Sequence, residues 1–256
     1  MGLLDGKKAA IFGVANDKSI AWAIAEKFKQ EGADLCLTYA GDALVKRVIP
    51  LAKGIGASLV LPCDVQKDAD IKMVFSKIGK AWGGLDILVH SVAFANKDEL
   101  KGSFLTTTRE GFAMAMDVST YSLIGLVKEA MPLMEKRQSS VLTLSYYGGQ
   151  KVFPNYNMMG VAKAALESSV RYLAEATGPQ GVRVNAISAG PLKTLASAGV
   201  GGFNHIAGHV AGKAPLRRNI TLEEVANAAL YLCSPLASGV TGEIHFVDSG
   251  YNIIGL

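Results

Sequence analysis

Seven short apolar runs, separated mainly by segments with helical periodicity, constrain the fold of this chain more than any other feature. They predict strands at 8–13, 33–40, 58–65, 85–93, 141–145, 182–187 and 243–247. The segments between them predict helices at 20–31, 42–53, 68–82, 109–117, 119–136, 157–177 and 221–233. Alternation of strand and helix is typical of βαβ units, which build a parallel sheet. We therefore predict an α/β fold, a Rossmann-type doubly wound parallel sheet of about seven strands with helices on both faces.

The composition suits one such domain spanning residues 1–256. Half of the residues are hydrophobic, 19% are charged and the mean hydropathy is +0.26, as expected for a parallel sheet that is buried on both faces. Neither a linker nor an internal repeat divides the chain. Residues 192–213 depart from the regular pattern because five glycines interrupt them. A segment so long and rich in glycine predicts a flexible substrate lid, with a mobile surface loop as the alternative.

Several classes of protein are disfavoured by the sequence. No apolar run approaches the roughly 18 residues of a membrane span, and the N-terminus lacks the apolar core of a secretory signal, so we expect a cytoplasmic protein. Cys36, Cys63 and Cys233 lie in apolar runs without metal-ligand spacing, which predicts buried free thiols. His205 and His209 have the spacing of a helical zinc pair, but no third ligand is evident, so no metal is expected. The net charge of +4 is modest and the basic residues are scattered, so nucleic acid is not an expected partner.

The first three strand ends predict a dinucleotide site. The turn from Gly13 to Ser19 lies where a pyrophosphate meets the amino end of a helix, although it lacks the GxGxxG pattern and a simple helix cap would look similar. After the second strand, Ala40 stands where an acidic or basic side chain would recognise the ribose, and the lack of a basic group favours NADH over NADPH. After the third strand, Asp64 can accept from the adenine amine while Val65 packs on the ring. A carboxylate that caps the next helix is the alternative for Asp64.

Residues 142–165 contain the side chains best suited to chemistry. The tyrosines and lysine of interest follow the fifth strand: Tyr146, Tyr147, Tyr156 and Lys163. A nearby ammonium stabilises a phenolate, so a tyrosine beside a lysine can act as an acid. Two glycines and a proline disfavour the helix that would pair Tyr147 with Lys151. Tyr156 and Lys163 are seven residues apart, two helical turns, which predicts that they share one helical face. A surface tyrosine and a solvated lysine are the alternative.

Together these features resemble the short-chain dehydrogenase/reductase superfamily and, within it, the bacterial enoyl-acyl carrier protein reductases of fatty acid synthesis. The resemblance covers essentially the whole chain. Its marks are GVANDKSIA in the first turn, LSY at Tyr146, the six residues between Tyr156 and Lys163, VRVNAISAGPLKTLA and the closing GEIHFVDSG. Carbonyl reductases of the same superfamily are a rival hypothesis, although their usual Tyr-x3-Lys spacing is missing. A non-catalytic dinucleotide-binding sensor on the same fold is another.

The resemblance implies roles for individual residues. Tyr156 and Tyr146 would be the active-site tyrosines, Lys163 would bind the nicotinamide ribose, and Ala95 would touch the acyl substrate. The cofactor would be lined by Gly13, Ser19, Ile20, Ala40, Asp64, Val65, Val92, Lys163, Leu192, Lys193, Thr194, Leu195 and Ala196. The family often has a longer polar or basic side chain at position 40, where this chain has alanine.

The resemblance also implies a reaction and partners. NADH would reduce the trans-2 double bond of an enoyl-acyl carrier protein thioester, the last reductive step of fatty acid elongation. Hydride would add to C3, and Tyr156 would stabilise the enolate that forms. Acyl carrier protein is the implied partner, and a homotetramer is the implied assembly.

Overall fold

Seven strands form one parallel sheet in the computed structural model, which describes residues 2–195, 197–199 and 201–255. The strands are β1 Lys8–Phe12, β2 Asp34–Tyr39, β3 Leu59–Pro62, β4 Ile87–His90, β5 Ser140–Ser145, β6 Arg183–Ala189 and β7 Ile244–Val247. Their order is β3-β2-β1-β4-β5-β6-β7, and neighbouring strands are parallel. Strand β1 lies between β2 and β4, so the direction of strand addition reverses beside it. A crevice for a ligand is expected at the carboxyl ends there.

Helices cover both faces of the sheet. Within the described residues the α-helices are α1 Ile20–Gln30, α2 Asp42–Gly54, α3 Asp68–Trp82, α4 Arg109–Met116, α5 Ser122–Met134, α6 Met158–Thr177, α7 Phe203–Lys213 and α8 Leu222–Cys233. Helices α1, α2 and α8 pack on one face, and α3, α5 and α6 pack on the other. In the same described part of the chain, no helix combines the length and apolar character needed to cross a membrane.

Alternating side chains of the strands supply the cores on the two faces. On β2, Leu35 and Leu37 belong to the core on the α1 side, whereas Cys36 belongs to the core on the α3 side, and all three are fully buried. Burial on both faces is the physical reason for the continuous apolar runs. Cys36, Cys63 and Cys233 are buried free thiols, as predicted.

The predicted strands are all present, and most of their ends lie one to three residues inside the predicted bounds. Strands β3 and β4 end three residues before the predicted ranges 58–65 and 85–93 do, because the chain leaves the sheet at its carboxyl edge. The helices predicted at 109–117 and 119–136 are joined by a π-helical turn, Asp117–Tyr121. Such turns occur frequently at functional sites. The two predicted helices are therefore one interrupted helix.

The glycine-rich segment at 192–213, which we predict as a flexible substrate lid, contains helical structure that its composition does not indicate. Its second half is α7, which buries Ala207 and Val210, and Ser197–Gly199 forms a short 3₁₀ turn. A Cβ atom added at Gly208 or Gly212 would meet nothing within 4 Å. These two glycines therefore lie on the open side of a helix that its buried residues hold in place.

Candidate active site

The crevice beside β1 depends on a close approach of two strand ends. Gly13 follows β1 with a φ of 97°. A Cβ atom there would collide with the Ser91 carbonyl and come within 3.4 Å of the Val92 side chain. Any larger residue would push the ends of β1 and β4 apart. Gly13 and Val92, two of the predicted cofactor residues, are therefore brought together where the strand order reverses.

Ser19 is the N-cap of α1. Its Oγ accepts a hydrogen bond from Trp22 N at 3.2 Å and donates one to the Asn16 carbonyl at 2.8 Å. Ile20 is the first residue of the helix. The capping interpretation of Ser19 is thus confirmed. The cap fixes the amino end of α1, which is where a pyrophosphate would bind.

The predicted adenosine residues lie at the ends of β2 and β3. Asp64 accepts a hydrogen bond from Gln66 N at 3.1 Å and forms an ion pair with Lys67 at 3.3 Å. This Asx-type turn precedes α3, whose own N-cap makes no side-chain hydrogen bond. Val65 is half-buried against the core on the α3 side, and Ala40 is exposed. Contact of these residues with adenosine stays a prediction.

Tyr156 lies just before α6 and not inside it. The helix begins at Met158, and Asn157 has φ 40° and ψ −119°, outside the helical region. The prediction that Tyr156 and Lys163 share a helical face is therefore wrong, because only Lys163 is helical. Hydrogen bonds from Tyr156 N to the Phe153 carbonyl (3.1 Å) and from Met159 N to the Tyr156 carbonyl (3.0 Å) hold the tyrosine in the turn that enters α6.

Gly148 and Gly149 bring the turn after β5 against this helix entrance. A Cβ atom at Gly148 would lie 2.5 Å from the Tyr156 ring and 2.9 Å from the Tyr146 ring, and one at Gly149 would lie 3.0 Å from Ala164 N. The rings of Tyr146 and Tyr156 meet edge to face, with centroids 4.9 Å apart. The glycines that break the helical pattern thus allow the two predicted active-site tyrosines to meet.

Lys163 has its ammonium buried at the end of β5. The residue is 6% exposed, and its Nζ donates to the Leu144 carbonyl at 2.6 Å. Burial lowers the pKa of Lys163 to about 8, and the negative charge of Glu167 opposes that effect. Burial also raises the pKa of Tyr156 and the pKa of Tyr146. At neutral pH the site therefore offers protonated phenols and a mainly protonated amine, all of them hydrogen-bond donors.

An apolar cluster lies beside Tyr156. Its buried members are Ala95, Leu100, Ala115, Met158 and Met159, and Tyr156 packs against them. The π-helical turn supplies Ser119, whose Oγ accepts from Phe94 N at 2.9 Å and donates to the Phe94 carbonyl at 3.0 Å. Ser119 thereby holds the loop that carries Ala95. Ala95, the predicted acyl contact, and Tyr156 are thus brought together.

The predicted cofactor run after β6 is held largely by local contacts. Leu192 packs against the core on the α1 side, and Lys193 and Leu195 are exposed. Thr194 N donates to the Ser197 hydroxyl at 2.8 Å. Ala196 lies outside the described residues. Among the residues that are described, no hydrogen bond links this run to the tyrosines or to the buried lysine of the β5–α6 joint.

Comparison with known proteins decides the family. The family model described as enoyl-(acyl carrier protein) reductase matches residues 13–252. The chain belongs to this family. The enoyl-acyl carrier protein reductase [NADH] of Aquifex aeolicus is 53% identical over 256 residues, which are 100% of this chain and 95% of that protein. A Rhizobium meliloti enzyme named for the same NADH activity is 53% identical over 255 residues, covering 100% and 93% of the two chains.

Solved structures of this reductase family have the same fold. The Aquifex aeolicus enzyme superposes with a TM-score of 0.97 at 53% identity, over 100% of both chains. The Bacillus cereus reductase, solved with NADP+ and an indole naphthyridinone, has a TM-score of 0.96 at 49% identity, again over 100% of both. The Anaplasma phagocytophilum reductase, solved with NAD, has a TM-score of 0.95 at 48% identity and covers 100% and 97%. The predicted fold and family are confirmed.

One buried residue of this candidate site was not singled out from the sequence. Glu167 is 4% exposed, and its carboxylate accepts hydrogen bonds from Ser145 Oγ at 2.6 Å and from Gln150 Nε2 at 2.9 Å. Its position four residues after Lys163 places both side chains on one face of α6. That spacing was the signal in the sequence, because a carboxylate beside a buried lysine is a charge partner.

Two asparagines that flank Tyr156 were also not predicted. Asn155 and Asn157 have φ values of 64° and 40°, a region that asparagine enters more readily than most residues. Asn155 accepts from Gly102 N at 3.3 Å and donates to the Gly201 carbonyl at 3.2 Å. It thereby links two segments, one on each side, to the turn that carries the tyrosine. The Asn-Tyr-Asn pattern was the available signal.

Proposed function

We propose that this chain reduces the trans-2 double bond of enoyl-acyl carrier protein thioesters with NADH, the last reductive step of fatty acid elongation. The observation that carries the proposal is the position of Tyr156. Its ring packs on the apolar cluster that contains Ala95 and on Tyr146, and the buried Lys163 lies at the same joint between β5 and α6. Full-length relatives named for this activity support the proposal.

The residues at the crevice fit a nicotinamide dinucleotide. Gly13 and the amino end of α1 suit a pyrophosphate, and Ala40 presents no basic group that would favour a 2′-phosphate. An ammonium has three donors, and within the described residues the Leu144 carbonyl takes one donor of Lys163. The remaining donors can bind the ribose hydroxyls. When bound, NADH supplies the hydride that adds to C3 of the enoyl thioester.

The Tyr156 hydroxyl stabilises the negative charge that hydride addition places on the thioester oxygen. Burial raises the pKa of Tyr156, so the hydroxyl keeps its proton at neutral pH and donates a hydrogen bond to the enolate oxygen. The Lys163 ammonium favours the same charge. Tyr146 shapes the acyl pocket through its ring contact with Tyr156 and transfers no proton.

A spectrophotometric assay tests this proposal. We expect the chain to consume NADH when crotonyl thioester is added, with little consumption when a ketone replaces it. We expect little ketone reduction because six residues separate Tyr156 from Lys163, whereas the carbonyl reductases usually have three between the two. Turnover with ketones alone would favour a carbonyl reductase. Binding of NADH without turnover of either substrate would favour a dinucleotide sensor.

We infer further that the chain is a single domain over residues 1–256 and works as a homotetramer that receives its substrate from acyl carrier protein. Residues 192–213 would be the substrate lid, and the exposed Lys193 and Lys213 would face the acidic carrier. Arg218 is less available to a carrier, because it pairs with Glu224 at 2.6 Å. A light-scattering mass equal to that of one chain would contradict the tetramer.

A further inference from the structure

The proposed reaction leaves one buried charge of the site without a role. Glu167 lies on α6 one turn beyond Lys163 and is 4% exposed. Both carboxylate oxygens are occupied: Oε1 accepts from the Ser145 hydroxyl at 2.6 Å, and Oε2 accepts from Gln150 Nε2 at 2.9 Å. Ser145 directly precedes Tyr146, and Gln150 directly follows the turn Tyr147–Gly149.

A carboxylate in this position is costly unless something compensates for its burial. Removing a charge from water is unfavourable, and two hydrogen bonds offset only part of that cost. The Lys163 ammonium, buried on the same helical face, contributes to this compensation through its charge, although the two groups form none of the ion pairs found among the described residues. The attraction also acts in the other direction, because burial destabilises the ammonium and a nearby anion favours it.

We propose that Glu167 is a positioning residue for the reductase reaction, holding both ends of the turn beside Tyr146 against α6 and keeping Lys163 as an ammonium. This inference rests on the proposed function. Its geometric part follows from the bonds to Ser145 and Gln150, which join β5, the turn and the helix. Its electrostatic part follows from the burial of both charged groups one helical turn apart, where little water screens the attraction between them.

The other titratable groups around this pair carry no negative charge near neutral pH. His90 of β4 faces Lys163, and burial lowers its pKa to about 3, so the imidazole is neutral. Tyr146 and Tyr156 have pKa values raised by burial, so both phenols stay protonated. Among the described residues, Glu167 is therefore the anion that favours the charged form of Lys163.

The protonation of Lys163 predicts how NADH binding and turnover depend on pH. The ammonium is present below the pKa of Lys163, which burial lowers to about 8, so NADH binding and kcat/KM fall as the pH rises through that value. Without the Glu167 charge the pKa of Lys163 falls further, and the loss begins at lower pH. A purely structural role for Glu167 would lower the rate at every pH and leave the position of this limb unchanged.

Glu167→Gln is the decisive variant, because it removes the charge and keeps the size of the side chain. We expect the alkaline limb of kcat/KM for NADH, and of the NADH dissociation constant, to move towards acid by roughly one pH unit or more. Gln150→Ala is the matched control, since it removes one hydrogen bond and leaves the charge. Glu167→Asp keeps the charge and should restore the limb. If the alkaline limb of Glu167→Gln lies at the same pH as that of the unsubstituted chain, the proposal is overturned.

Turnover and NADH binding, each measured against pH, separate this inference from the proposed function. If the unsubstituted chain fails to consume NADH with crotonyl thioester, the proposed function fails, and NADH binding against pH still tests Glu167. Circular dichroism checks that each variant is folded. If Glu167→Gln does not fold, the double variant of Ser145→Ala with Gln150→Ala replaces it, since it frees the carboxylate without removing its charge. We then expect a lower kcat with an unmoved limb, and an unchanged kcat would overturn the positioning role.

Discussion

The two halves of the crevice satisfy their polar side chains in different ways. The adenosine side is formed by the ends of β1, β2 and β3, and the reaction side by the joint between β5 and α6. On the adenosine side, Ser19 and Asp64 bond to residues two or three positions away in the sequence. On the reaction side, the bonds of Lys163 and Glu167 join residues 17 to 22 positions apart. The first pair is half-buried, whereas the second is almost fully buried.

This difference predicts how each half responds to substitution. Where a polar side chain is partly exposed, water replaces a lost partner and the cost is small. Where it is buried, the partner left behind is a desolvated charge or dipole, which costs much more. We therefore expect substitutions on the reaction side to have larger effects than those on the adenosine side. Three predictions, each with a control variant, measure the difference.

The largest effect is expected at Tyr156. Tyr156→Phe keeps the ring on the apolar cluster and removes the hydroxyl that donates to the enolate. Loss of one such donor typically lowers kcat by about 10²–10³-fold. We expect kcat to fall on that scale while KM for crotonyl thioester changes little, because the interaction forms only in the transition state. Steady-state kinetics at saturating NADH measure both constants.

Tyr146→Phe is the matched control for this variant. It removes a hydroxyl from the neighbouring ring, whose centroid is 4.9 Å away, and leaves the edge-to-face contact in place. A kcat close to that of the unsubstituted chain is expected. An unchanged kcat in Tyr156→Phe, or an equal loss in both variants, would contradict the assignment of the enolate donor to Tyr156.

An intermediate effect is expected at Lys163. Lys163→Ala removes the charged donor to the ribose, and hydrogen bonds to charged groups contribute about 1.5–3 kcal/mol. We expect the NADH dissociation constant, measured by fluorescence titration, to rise by roughly 10- to 100-fold. Lys163→Met fills the space of the lysine stem and should give the same loss. Normal NADH affinity in both variants would rule out the ribose contact.

The same contrast explains how much of the molecule could be predicted. Short-range signals, which a single sequence contains, determine the strands and most helices. They also indicated that Ser19 could cap α1. The partnership of Glu167 with Ser145 and Gln150 depends on segments that meet only after folding. The spacing of four residues was an available signal that Glu167 faces Lys163, but its hydrogen bonds cannot be inferred from periodicity.

One prediction was wrong, and one helix was missed, because a local exception overrode the pattern. Tyr156 and Lys163 have helical spacing, but the left-handed φ of Asn157 delays the helix, and no periodicity reveals a backbone angle. The glycines of 192–213 hid the helical pattern of α7, which buried Ala207 and Val210 stabilise, and the lid stays a prediction. Tertiary packing outweighs the helix propensity of glycine at exposed positions.

The smallest effect is expected on the adenosine side, at Ser19. Its hydroxyl caps α1 by accepting from Trp22 N, so Ser19→Ala should lower the free energy of unfolding by about 1 kcal/mol, whereas Ser19→Gly should cost only a few tenths. Denaturant titration measures both. NADH affinity should be the same in the two variants, because both lack the hydroxyl. An unchanged free energy of unfolding in Ser19→Ala would show that the helix does not depend on this cap. A loss of NADH affinity as large as that expected for Lys163→Ala would remove the distinction between the two halves of the crevice.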